Sequence, residues 1–220
     1  NGATLNISGV AVGAEALSLN GTGVGAAGAL TGTGVATYGG AVTLAGNSSV
    51  GTANVTDILT VSGIVSGGTN GLTKVGNGRL ILSGANTYTG ATTVSGGTLE
   101  LTGGAAIADT GAVVMADAAG ANLQFNSSET IGSLAGGGAT GGNVNLQANT
   151  VTVGDVSNTT FAGVISGAGG SVIKTGAGTM TLSGTNTYTG STTISAGAIS
   201  ISAEANLGAN PATANAAQLQ

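Results

Sequence analysis

GLTKVGNGRLILSGANTYTGATTVSGGTLEL at 71–101 returns one hundred positions later as SVIKTGAGTMTLSGTNTYTGSTTISAGAISI at 171–201. The correspondence extends upstream, where VSGIVSGGTNG (61–71) falls on FAGVISGAGGS (161–171). Lys74 meets Lys174, Gly76 and Gly78 meet Gly176 and Gly178, and Asn86, Tyr88 and Gly90 meet Asn186, Tyr188 and Gly190. Repetition on this scale points to a stacked, quasi-one-dimensional architecture. Within each copy the period is two. Leu80 and Leu82, with their counterparts Met180 and Leu182, alternate with small or polar residues, and so do Leu99 and Leu101 beside Ile199 and Ile201. Such alternation over four or five residues, bounded by Gly, Asn and Ser, is the signature of a strand. Helical spacing is sustained nowhere.

The 44 glycines supply the positive-φ corners that frequent turns require. Short strands with so many turns are compatible with a sandwich. A parallel β-helix accounts for more of the pattern, because it coils one strand per face around a thin core. At ~20 residues per turn the chain makes about eleven turns and a rod of ~50 Å. The hundred-residue offset is then five turns, which places Tyr88 and Tyr188 on the same side, ~24 Å apart. Divergent turns are expected over 1–60, a first repeat unit over 61–160, and a second, truncated unit over 161–220.

Composition removes most chemistry. Charged residues are 5% of the chain, against roughly 25% in ordinary soluble proteins. Cys, His and Trp are absent and Pro211 is the lone proline. Disulfides, the usual zinc ligand sets, cysteine nucleophiles and His-based triads are therefore excluded. Lys74, Arg79 and Lys174 are too few to track a phosphate backbone, so nucleic acid is not an expected partner. Mean hydropathy is +0.41, yet Gly, Ser, Thr or Asn breaks every apolar run, and no spanning segment is expected. Disorder is excluded by 41% hydrophobic residues with a net charge of only −5.

Residues 71–101 and 171–201 resemble the passenger-associated strand repeat of bacterial autotransporters. The stretches Thr130–Gly136 and Thr159–Gly167 resemble the spacer that commonly precedes it. The likeness covers roughly 60–203. It implies a right-handed, single-stranded parallel β-helix in a secreted or surface-exposed protein, and it implies no particular activity. The chain ends midway through an alternating segment, and AAQLQ joined to NGATLNIS reads as strand, turn, strand. The expectation is a piece of a longer solenoid or one period of a tandem array. Unpaired strand edges at its ends would be covered by more chain or by a neighbouring copy.

Candidate chemistry is sparse. The acids are Glu15, Asp57, Glu100, Asp109, Asp117, Glu129, Asp155 and Glu204. Asp109 and Asp117 lie close enough in sequence for one turn to bring them together as a glycosidase pair, with Asp155 as a further candidate, but no aromatic platform accompanies them. Acid-dense calcium loops are missing. Lys74 and Lys174 are read as snorkelling surface lysines in preference to isopeptide partners. Tyr88 and Tyr188 are read as rings covering a turn of their own rod, with Asn86 and Asn186 making the bend. Thr92-Thr93 and Thr192-Thr193 raise an ice-binding array, which Gly and Ala interrupt. Six Asn-x-Ser/Thr sequons, from Asn6 to Asn158, are expected by chance in such a composition. The reading is therefore a structural extracellular stalk or fibre, non-enzymatic, without catalytic, cofactor or metal residues. It would support adhesion or self-association, axial or lateral, or contact with a host ligand. The alternative is a carbohydrate-active β-helix.

Overall fold

A computed structural model describes residues 2–209. Strands dominate it, joined by tight turns and two short 3-10 turns at Val24–Ala26 and Glu204–Leu207. Every strand pair is parallel, so each connection is a crossover and the chain climbs one turn at a time. Three faces result. The first stacks ten strands, from Leu5–Ser8 through Leu30–Thr33, Leu72–Val75, Thr92–Val94 and Ser133–Gly136 to Ala198–Ile201. The second runs from Ala11–Val12 through Arg79–Leu82 and Thr98–Leu101 to Ile165–Ser166. The third begins with Leu17–Gly21 and ends with Glu129–Ile131, Thr150–Val153, Ser171–Lys174 and Thr192–Ile194. Strand Val42–Thr52 bends round a corner. Its Val42 and Leu44 pair with Leu17 and Leu19, while its Val50 pairs with Leu30.

The expected all-β parallel solenoid is thus the fold. Alternation decides what lies inside. On the second face Leu59, Leu80, Leu99, Leu123, Val144 and Ile165 stack in register and are all buried. Each such side chain contributes about 1.5–3 kcal/mol by leaving water. Ordering the two residues that supply one inward position costs roughly 2–4 kcal/mol. Apolar burial alone does not win that comparison, and the rest falls to main-chain ladders and to side chains that bond between turns. Asn70 donates to the Leu44 carbonyl and Asn149 to the Phe125 carbonyl, while Asn143 and Asn158 accept from the Val164 and Thr179 amides.

Two expectations need correction. One inward column on the first face runs Leu5, Leu30, Val50, Lys74, Val94, Met115, Gly136, Phe161, Leu182, Ile201, which is nine steps. A turn therefore averages about 22 residues, and the described rod has about nine turns over ~43 Å where eleven were expected. Longer corners account for this, among them the glycine-rich segments 23–28 and 136–142. The repeat also does not return to the same face. Lys74 lies on the first face between Val50 and Val94, whereas Lys174 lies on the third between Val153 and Ile194. One hundred residues make four and two-thirds turns, so the second copy is the first rotated by one face, and Tyr88 and Tyr188 do not share a side. The joined segment AAQLQ–N lies outside the described residues.

Candidate functional site

The two copies of the repeat build the same local structure, beginning with its lysine. Leu72 points inward, and two residues on so does Lys74, which is buried. Its ammonium donates to the carbonyls of Val75 at 2.9 Å, Gly76 at 2.8 Å and Gly96 at 3.2 Å. Gly76 turns the chain at φ +78°, and a Cβ there would stand 2.3 Å from the Thr52 carbonyl oxygen. Lys174 is buried likewise and donates to the Thr175 and Gly176 carbonyls. Burial pushes the Lys74 ammonium down to about 8 and lowers that of Lys174, which Asp155 partly restores. Neither is a snorkelling lysine. The hydrogen-bond partners of both ammonium groups are main-chain carbonyls.

Asn86 and Asn186 replace a strand. The third face has no strand between Val65–Ser66 and Glu129–Ile131 among the described residues. In that gap the Asn86 Oδ1 accepts from the Val65 amide one turn below, and its Nδ2 donates to the Ala106 carbonyl one turn above, both at 2.7 Å. Asn186 repeats this between the Ile165 amide and the Asn206 carbonyl. Two residues on, Tyr88 and Tyr188 point into the core, and their hydroxyls bond Thr92 Oγ1 at 2.7 Å and Thr192 Oγ1 at 2.6 Å. Burial raises both phenols, that of Tyr88 to about 12. The rings fill the rod instead of covering it. Gly78, Gly90, Gly178 and Gly190 mark close approaches. A Cβ on Gly90 would lie 2.3 Å from the Asn70 carbonyl, and one on Gly190 2.4 Å from the Gly170 oxygen.

The acids are dispersed. Asp117 Oδ1 accepts from the Thr140 and Gly141 amides, and Asp155 Oδ1 accepts from Ser157. Asp109 is exposed and acts electrostatically on Glu129. Asp117 is thus tied to the turn at Thr140 and Gly141, whereas Asp109 lies near Glu129. Among the described residues no group of three or more carboxylates could hold a metal ion. Two acids matter more than their sequence context announced. Asp57 is buried, accepting from the amides of Asn54 and Gly34, which lower its carboxyl. Glu129 is buried and bridges the strandless gap, its two oxygens accepting from Ala106 and Ile107 at 3.3 and 3.1 Å. Burial raises Glu129, Asp109 adds to that, and the two amides oppose it. Glu129 is two residues from inward Ile131, and that parity was the available signal. Arg79, itself exposed, pairs with the buried carboxylate of Glu100 at 2.9 Å.

A family model described as the passenger-associated-transport-repeat matches residues 72–101 and 172–201. The chain carries two passenger-associated transport repeats. Both fall on the coil segments just described, lysine, asparagine and tyrosine included. Along with the transport repeats, the chain is 39% identical over 173 residues to the adhesin BmaC autotransporter of Brucella suis biovar 1 (strain 1330). That match covers 77% of this chain, which itself spans about 5% of the relative's length. No solved structure matches. No helix among the described residues is long and apolar enough to cross a membrane.

Proposed function

We propose that this segment is a non-catalytic, surface-exposed β-helical module of a bacterial adhesin, a stalk that holds binding surfaces away from the cell. The observation that carries this reading is where the repeat spends its polar groups. Lys74, Asn86, Tyr88 and their counterparts bond main chain or neighbouring side chains of the coil itself. A motif conserved between the two copies for chemistry would turn such groups toward a substrate. Similarity to an autotransporter adhesin supports an extracellular, adhesion-related setting. Weak charge supports lateral or axial association of rods, since little repulsion opposes contact between copies.

The test is deletion of residues 2–209 from the complete gene product, with adherence and external protease accessibility of the segment measured on intact cells. Loss of adherence with normal export, and cleavage of the segment only from outside, is the expected result. Sedimentation of the purified chain reads self-association separately. Release of reducing sugar from polysaccharide by that chain, abolished by Asp109→Asn, Asp117→Asn or Asp155→Asn, would replace the stalk with the enzyme.

A further inference from the structure

The third face carries a feature that the coil does not need. Glu129–Ile131, Thr150–Val153 and Ser171–Lys174 pair in register, and their inward positions are Glu129, Val151 and Val172. The outward positions then form two parallel columns. Thr130, Thr152 and Ile173 stand in one, and Ser128, Thr150 and Ser171 in the other, with Thr150 and Ser171 paired directly. Between them lies a shallow trough of about 350 Å³, lined by Gly104, Ser128, Glu129, Thr130, Thr150, Thr152 and Ile173. Gly104 lines the trough close to the Ser128 main chain, where a Cβ would stand 3.1 Å from the carbonyl oxygen. The hydroxyls of Thr130, Thr150 and Thr152 have no partner among the described residues, unlike the buried hydroxyls of Thr92 and Thr192. Ser128 Oγ accepts from the Thr150 amide and keeps its own proton to donate. Glu129, buried beneath, uses one amide per carboxylate oxygen and retains acceptor capacity on both.

We propose that this trough is a binding subsite for a neutral oligosaccharide. The inference rests on the adhesive reading above and names a ligand class for it. A row of free hydroxyls offers both donors and acceptors, which is what sugar hydroxyls require. The ~4.8 Å step between turns is about the length of a pyranose ring, so a glycan running along the rod meets a new pair of side chains at each sugar. Ile173 and the threonine methyls supply apolar contact for C–H faces. The volume suits a short oligosaccharide. Charge fixes the class further. No Lys or Arg lines the trough, and Glu129 with nearby Asp109 gives it a negative bias that excludes acidic glycans. Without an aromatic platform each subsite binds weakly, and tight attachment comes from many copies acting together.

Saturation-transfer NMR on the purified chain tests this, with cellotetraose and maltotetraose as neutral probes and sialyllactose as the acidic one. Transfer to at least one neutral probe at millimolar concentration is expected, with none to sialyllactose. Thr130→Val and Thr152→Val keep shape and strand preference while removing one hydroxyl each, and each should weaken binding about fivefold. No transfer to either neutral probe, unchanged affinity in the folded variants, or preference for sialyllactose overturns the proposal. Should a valine variant lose its circular dichroism spectrum, Ser128→Ala reads the same site from the exposed column. Loss of sugar binding with adherence intact sinks the trough alone, whereas adherence unaffected by deleting residues 2–209 sinks the adhesive reading.

Discussion

Asn86→Ala is the most informative single perturbation of this rod. The side chain makes two 2.7 Å bonds in a region where Val65 and Ala106 are both buried. Truncation leaves the Val65 amide and the Ala106 carbonyl without partners, and the third face offers no strand there to replace them. Each orphaned group costs about 1–3 kcal/mol, so the expected loss is ~4 kcal/mol. Against a typical total of about 5–15 kcal/mol this is large. Equilibrium urea unfolding followed by circular dichroism measures it directly. Asn86→Asp keeps the acceptor for Val65 but sets an oxygen against the Ala106 carbonyl, and should be no less harmful. Thr89→Ala is the matched control, since it removes only an exposed bond to the Gly68 carbonyl and should cost less than about 1 kcal/mol. Losses of under ~1 kcal/mol for Asn86→Ala, indistinguishable from the control, would refute the claim that this amide stands in for a strand.

Other outcomes follow from the same geometry. Tyr88→Phe strands the buried Thr92 hydroxyl and should cost about 1–2 kcal/mol, and pairing it with Thr92→Val should recover part of the loss in a double-mutant cycle. Gly90→Ala forces a Cβ to 2.3 Å from Asn70 and should cost more than ~2 kcal/mol by urea unfolding, whereas Gly68→Ala, with nothing within 4 Å, should cost only about 1 kcal/mol for its φ of +57°. For Lys74 the folded pKa of about 8 lies below the unfolded value of 10.5, so between them the unfolded chain binds more protons and stability rises with pH. The gain is at most about 3 kcal/mol, because the three carbonyls favour the charged form. Urea midpoints should climb from pH 8 to pH 10, and Lys74→Met should flatten that climb.

Much of the fold was legible because alternation reports burial directly. Leu80 and Leu82, or Leu99 and Leu101, announce their strands and their inward side together. The same rule, applied strictly, would have placed Lys74 inside, since it shares parity with Leu72. The buried carbonyls that make an inward ammonium tolerable are set by the turn at Gly76, which parity does not reveal. Asn86 reads as a turn residue in the sequence, and in the structure its side chain supplies the missing ladder. The relative rotation of the copies was not legible at all. Steps between stacked residues range from Leu182 to Ile201 at the short end to Gly21 to Ser48 at the long end. One hundred residues are compatible with several whole or fractional windings, and only the corner lengths choose among them. The trough beside Glu129 was hidden for the same reason, since Ser128, Thr150 and Ser171 become neighbours only through register.

The rotation of one copy against the other bears on how such a gene can grow. Duplicated DNA need not encode a whole number of windings to be accepted, because a splice succeeds wherever an incoming strand end finds a side of the prism free to receive it. A third of a winding is then the smallest admissible increment. Successive duplications of this length would point their equivalent features in three compass directions before the first bearing recurs.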